Sequence, residues 1–141
     1  MDIGEILSRL AAGKTPERRA GGLWLEDPGL DVEEMARVLV KAGARLVTIT
    51  AIPAAGAECR VAYHWDLGNL LLNMIGSTRG GKIPSVTGIS PAADWIEREI
   101  HDYFGVCFTG RDMPPLVLRP GDPPGVFRWD FLSKGGEGGA K

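Results

Sequence analysis

A chain of 141 residues with 44% hydrophobic content has room for one core and is too short for two ordinary domains. It is read as one domain over residues 1–132 and a flexible tail over 133–141. A formal net charge of -2 excludes the broad basic footprint of nucleic-acid binding. The two cysteines and two histidines form no CxxC or clustered ligand set for zinc or iron–sulfur.

The opening "MDIGEILSRLAA" places Ile3, Ile6, Leu7 and Leu10 at helical spacing, with Gly13 as a stop. Its acidic second residue and short apolar content fit neither a signal peptide nor an anchor. Nothing elsewhere approaches the roughly 20 apolar residues of a spanning helix, so a partner would have to bring the protein to a membrane. "GGLWLED" shows no decisive pattern and stays unassigned. Asp31 followed by Glu34 has the spacing of a capping box, Met35, Val38 and Leu39 make an apolar face, and Gly43 supplies a left-handed stop. Residues 31–42 are therefore predicted to be a helix.

"RLVTITAIP", "CRVAYHWDLG" and "NLLLNMIG" are β-rich runs separated by short turns, which predicts an antiparallel meander. "IPSVTGIS" can add a fourth strand. Ser90 as cap and Pro91 in the first helical position begin a second long helix that Gly105 closes. The remainder to Phe131 is rich in Pro and Gly turns and reads as an extended segment wrapped over the domain. The expected fold class is α+β, a two-layer arrangement with an antiparallel sheet of about four strands and helices on one face.

Two motifs invite chemistry. "GSTRGGKI", from Gly76 to Ile83, nearly matches a phosphate-binding P-loop, but Ile83 stands where a Mg²⁺-binding hydroxyl belongs and Pro84 blocks the helix start. A hairpin loop is the better reading. His64 with Asp66 shares a strand face, whereas Cys59 points the other way. Cys59 and Cys107 are read as reduced structural residues, and a stand-alone enzyme using Cys59 or His101 remains the alternative.

The segment "DWIEREIHDYFG", Asp94 to Gly105, carries most of the argument. At about 100° per residue, Trp95, Ile96, Ile100, Tyr103 and Phe104 occupy one half of the helix. Asp94, Glu97, Arg98, His101 and Asp102 occupy the other, which reads as a solvated face. Glu99 falls inside the apolar arc with no cation three or four positions away, so its partner must come from elsewhere. Arg111, Arg119 and Arg128 are the candidates, because a bidentate guanidinium could pin the C-terminal segment to the helix. Glu97 and Glu99 point about 160° apart on a helix and cannot converge as an acid/base pair. A core helix with one buried ion pair and a docking face both remain open.

"PAADWIEREIHDYFGVCFTG" closely resembles the signature of the 30 kDa subunit of respiratory complex I and of its relatives in energy-converting [NiFe] hydrogenases. The match runs through Pro91, Ala93, Trp95, Glu97, Arg98, Glu99, Asp102, Phe104, Gly105, Phe108 and Gly110. Arg111 stands where the family usually has His or Lys. In "FRWDF", Arg128 and Asp130 are kept while Trp129 replaces a Lys. Upstream, "YHWDLG" and "LLLNMI" also fit. The resemblance implies a compact α/β subunit with no cofactor, metal or catalytic residue of its own. It implies docking on a large 49 kDa-like or [NiFe] hydrogenase-like subunit and on iron–sulfur subunits, with a slight lean towards the hydrogenase-type assembly. Such a subunit is cytoplasmic, peripheral to the membrane through its complex. The residues expected at contacts between subunits or in structural ion pairs are Glu97, Arg98, Glu99, Asp102, Phe104, Gly105, Arg111, Arg119 and Arg128.

Overall fold

The structure, a computed structural model, describes residues 2–11 and 13–127. Helix α1, Ile3–Leu10, is followed by strands β1, Glu17–Arg19, and β2, Gly22–Glu26, and then by helix α2, Val32–Lys41. Strands β3, Arg45–Pro53, β4, Cys59–Asp66, and β5, Leu71–Ser77, come next. The short β6, Lys82–Pro84, helix α3, Ala93–Phe104, and β7, Cys107–Thr109, complete the regular elements.

The sheet runs β1-β2-β5-β4-β3. β3, β4 and β5 form the expected antiparallel meander, and β2 adds in parallel to β5. "GGLWLED", unassigned in the sequence, thus supplies a strand whose partner is found only across the chain. Gly22, at φ 117°, lies so close to β5 that a Cβ there would collide with the Leu71 carbonyl. "IPSVTGIS" does not join this sheet: its first residues form β6, which pairs in parallel with β7. Pairs of three residues are too short to announce themselves in sequence.

Alternation on β4 sends Val61, Tyr63 and Trp65 inward, where they are buried with Leu72, Met74 and Leu25. Ile6 and Leu10 of α1 and Val32, Met35, Ala36, Val38 and Leu39 of α2 join the same core. Asp31 caps α2 by accepting from the Glu34 N–H at 3.0 Å, as the capping spacing requires. On the other face His64 links β4 to its neighbours, its Nδ1 2.6 Å from Asn73 Oδ1 and its Nε2 2.9 Å from Thr50 Oγ1. Arg60 of β4 reaches across β5 to make a bidentate pair with Glu26 of β2, both contacts 2.6 Å.

The start of α3 differs from expectation. Its N-cap is Ala92, which makes no side-chain cap bond. A tight turn leads in, with the Ala93 N–H donating to the Ser90 carbonyl at 3.0 Å and the Asp94 N–H to the Pro91 carbonyl at 3.2 Å. Backbone carbonyls therefore take the donors that the Ser90 hydroxyl was expected to satisfy. Gly105 closes α3 in the left-handed conformation at φ 71°. Helix α3 lies against β3 and β7.

Candidate functional site

Helix α3 is rotated from the orientation its apolar residues suggest. Ala93, Glu97, Ile100 and Asp102 are its buried residues, while Trp95 is 67% exposed and Glu99 is exposed. The expectation of a buried Glu99 is therefore corrected: the buried carboxylates are Glu97 and Asp102, both assigned to the solvated half. A buried charge is tolerated only with partners, and each of these two has several that the sequence does not reveal locally.

Glu97 is wholly buried and is held from three directions. The Ser85 hydroxyl donates to it at 2.6 Å, the Val86 N–H at 2.8 Å and the Thr87 hydroxyl at 2.8 Å. Arg111 Nη1 lies 3.4 Å from Glu97 Oε1, and Arg111 Nη2 pairs with Asp94 at 2.5 Å. Arg111 also donates to Thr87 Oγ1 at 3.0 Å. The β6–α3 loop, the first turns of α3 and the segment after β7 are thereby tied to one carboxylate. Nearby, burial first and the Glu97 charge second push the Tyr63 hydroxyl well above its ordinary pKa.

Asp102 holds the chain that follows. Residues 110–127, the strap, contain no helix or strand. Asp102 Oδ2 accepts the N–H groups of Leu116, Val117 and Leu118 at 2.8, 2.8 and 3.2 Å. Burial pushes the Asp102 carboxyl up, but the donors from Val117, Leu116 and Leu118, helped by His101, outweigh it and leave its pKa below the usual value. Arg98 adds Nε and Nη2 donors to the Pro114 and Pro115 carbonyls at 3.1 and 3.0 Å. The strap then caps the helix end, with the Gly125 N–H on the Asp102 carbonyl at 2.8 Å and the Phe127 N–H on the Tyr103 carbonyl at 2.7 Å. The Phe127 ring stacks 4.5 Å from that of Tyr103, and Phe104 closes the group at 6.4 Å from Phe127.

Of the three arginines expected to meet Glu99, Arg111 goes to Glu97 and Asp94 instead. Arg119 is exposed in a turn with Asp122, whose Oδ2 accepts the Arg119 N–H at 3.2 Å. Arg128 and the expected tail 133–141 lie outside the described residues. Ser85 and Thr87 were missed as site residues, because hydroxyls in a strand-like run read as ordinary surface positions, and Asp94 was read only as part of the solvated face. The spaced pair Ser85 and Thr87 just before a helix was the available signal.

The alternative chemistries find little support in this geometry. His101 Nδ1 donates to the Val106 carbonyl at 2.8 Å, fastening the helix end. Cys59 is buried at the start of β4. The P-loop-like turn has its N–H groups directed at a carboxylate of the same chain: Gly80 and Gly81 donate to Glu58 at 3.0 and 2.6 Å. Thr78 Oγ1 adds a third donor at 2.9 Å. Among the described residues no group of three His, Cys, Asp or Glu is placed to hold a metal ion, and no helix is long and apolar enough to cross a membrane.

These features define a mixed sheet-and-helix domain whose C-terminal segment is bound to one helix by two buried carboxylates. The chain belongs to the family described as "Respiratory-chain NADH dehydrogenase, 30 Kd subunit", whose model matches residues 29–135. It is 43% identical over 96 residues to the NADH-quinone oxidoreductase C subunit of Jannaschia sp. (strain CCS1), covering 64% of this chain and 46% of that one. The corresponding protein of Ruegeria pomeroyi is 39% identical over 96 residues, with 64% and 48% covered. The chain thus spans about half the length of these curated relatives. Among solved structures it resembles a chain of the archaeal membrane-bound sulfane sulfur reductase, a respiratory membrane complex, with TM-score 0.70 and 25% identity. That likeness covers 96% of this chain and 88% of the other. A fragment of Nqo5 shares the fold at TM-score 0.60 and 24% identity, over 81% of this chain and 96% of the fragment.

Proposed function

We propose that this chain is a non-catalytic peripheral-arm subunit of a membrane-associated oxidoreductase complex, docking on the large subunit and on iron–sulfur subunits. The observation that carries this reading is the family match over residues 29–135, which includes the whole of α3 and the strap. The architecture agrees with it in kind. A strap tied to α3 by Asp102, Arg98 and Glu97 presents a broad, fixed outer surface from few residues, which suits a docking part better than a reaction site. The likeness to a chain of an archaeal respiratory membrane complex over 96% of this chain, beside relatives that are C subunits of NADH-quinone oxidoreductases, supports a place in a respiratory membrane assembly. Association with the membrane is then peripheral, through the partner subunits.

The stand-alone enzyme reading requires Cys59 or His101 to meet an acid/base partner. The burial of Cys59 and the Val106 bond of His101 speak against it. Purification of the tagged full chain from its native membranes, followed by protein identification and iron and nickel analysis, tests the proposal. Recovery of a large subunit together with iron–sulfur proteins is the expected result. A chain that emerges alone, free of metal and partners, overturns it.

A further inference from the structure

Helix α3 is covered on two sides and open on the third. Its inward arc runs through Ala93, Glu97 and Ile100. The strap crosses the arc of Arg98 and Asp102. Between these arcs, within about 80° at 100° per residue, lie Trp95, Glu99 and Tyr103. Trp95 is 67% exposed, and Phe127, stacked on Tyr103, is 50% exposed. The result is an apolar, aromatic strip along one helix edge with a single exposed carboxylate in its middle.

That carboxylate is unpaired as far as the described residues go. No cation among them lies within ion-pair distance of Glu99. Arg98 is turned to the Pro114 and Pro115 carbonyls, and Arg111 is held by Asp94 and Glu97. Resting on the complex-subunit reading above, we propose that the strip from Trp95 through Glu99 to Tyr103, continued by Phe127, docks a segment of another subunit that presents an arginine flanked by apolar side chains.

Charge complementarity selects this occupant. A wholly apolar segment would desolvate Glu99 without replacing its hydration, which is costly. An arginine can fork onto the carboxylate while its plane stacks on Trp95 or Tyr103, which a lysine does less well. A second copy of this chain is a poor fit, because a two-fold contact through the same strip would set one Glu99 strip against another. Exposed aromatic anchors around one charge are also the side-chain types that dominate docking contacts.

The test uses the full chain in its native membranes. Trp95 is replaced by photoreactive benzoylphenylalanine, and Glu99→Lys, Glu99→Gln and Trp95→Ala are made separately. Illumination is expected to join position 95 to a peptide of another subunit with an arginine within a few residues. Glu99→Lys is expected to lower recovery of that subunit about tenfold or more, and Glu99→Gln less. Melting of the purified full-length variants should match the wild type, so that lost recovery is not lost folding. An adduct to residues 128–141 of the same chain, or to a second copy, overturns the proposal, as does wild-type recovery by Glu99→Lys. If the wild type brings partners and the variants do so equally, only the docking strip is wrong. If the wild type emerges alone, the complex-subunit reading falls and the strip with it.

Discussion

Helices α2 and α3 are both amphipathic, of 10 and 12 residues, yet they obey different rules. In α2 the apolar periodicity and the burial coincide: Val32, Met35, Ala36, Val38 and Leu39 all face the core. In α3 the apolar half turns partly outward, and two carboxylates, Glu97 and Asp102, take buried positions. The difference lies in what the rest of the chain supplies. α2 needs only hydrophobic neighbours, while α3 is met by Ser85, the Val86 N–H, Thr87, Arg111 and three strap N–H groups, which together can hold two buried acids. Where hydrophobic pattern and burial part company, a polar network from elsewhere has decided the orientation, and such places coincide with a protein's working surfaces.

The largest effects should come from removing the acid that turns α3. Glu97→Ala leaves Arg111 half-buried beside an empty acceptor and three other donors unsatisfied, and is expected to cost about 3–5 kcal/mol. Urea unfolding of the full chain measures it. Adding Arg111→Ala should cost less than the sum of the single changes, because the two residues share a contact and the Thr87 hydroxyl, so the second change removes interactions the first has already weakened. The counterpart in α2, Met35→Ala, removes a fully buried side chain by simple cavity formation, at about 2–5 kcal/mol. Its effect should add to that of any surface change without coupling. A Glu97–Arg111 cycle with no coupling would remove the contrast between the two helices.

Asp102 should come next, at about 2–3 kcal/mol for Asp102→Ala, since three strap N–H groups lose a charged acceptor. This contribution also carries a pH signature. The folded pKa of Asp102 lies below its ordinary value, so its stability is present above the unfolded carboxylate value of about 3.9. It is lost as pH falls from there through the lower folded value. The gap in urea midpoint between wild type and Asp102→Asn should therefore be constant near neutrality and shrink below about pH 4. A gap that widened on acidification would contradict this role. Hydrogen exchange at Leu116, Val117 and Leu118 should rise in the variant while β4 stays protected.

Much of the fold was legible because it rests on local signals. The Asp31 cap, the period of α2, the β-branched runs of β3 to β5 and the Gly105 stop each act within a few residues. β2 was not, because its five residues pair in parallel with β5 about 50 positions away, and a strand with a glycine start and one tryptophan has no clear alternation. The site was half legible. The Glu97-Arg98-Glu99 triplet and Asp102 stood out, but the wheel alone put the wrong carboxylate inside. Its error was physical: it weighed Trp95 as buried on hydrophobicity, whereas the donors of Ser85, Val86, Thr87 and Arg111 reward burying Glu97 and so rotate the helix. Those donors lie 10 to 14 positions from Glu97 in sequence, beyond any helical spacing rule.

The smallest expected effect sharpens the comparison most. Trp95 is the largest apolar side chain of α3, and if periodicity ruled this helix as it rules α2, Trp95→Ala would cost several kcal/mol, like other buried aromatics. In the observed orientation the ring is 67% exposed and its removal should change stability by no more than about 0.5 kcal/mol. A melt of the full chain separates the two outcomes cleanly. A large loss would return Trp95 to the core and restore Glu99 as the buried acid. A negligible one leaves a tryptophan whose exposure folding does not require, on the same helix edge as a carboxylate that has no cation among the described residues. An exposed tryptophan beside such a carboxylate is an edge that another surface can use, which is why the near-silence of Trp95→Ala in the isolated chain would strengthen the case for docking there.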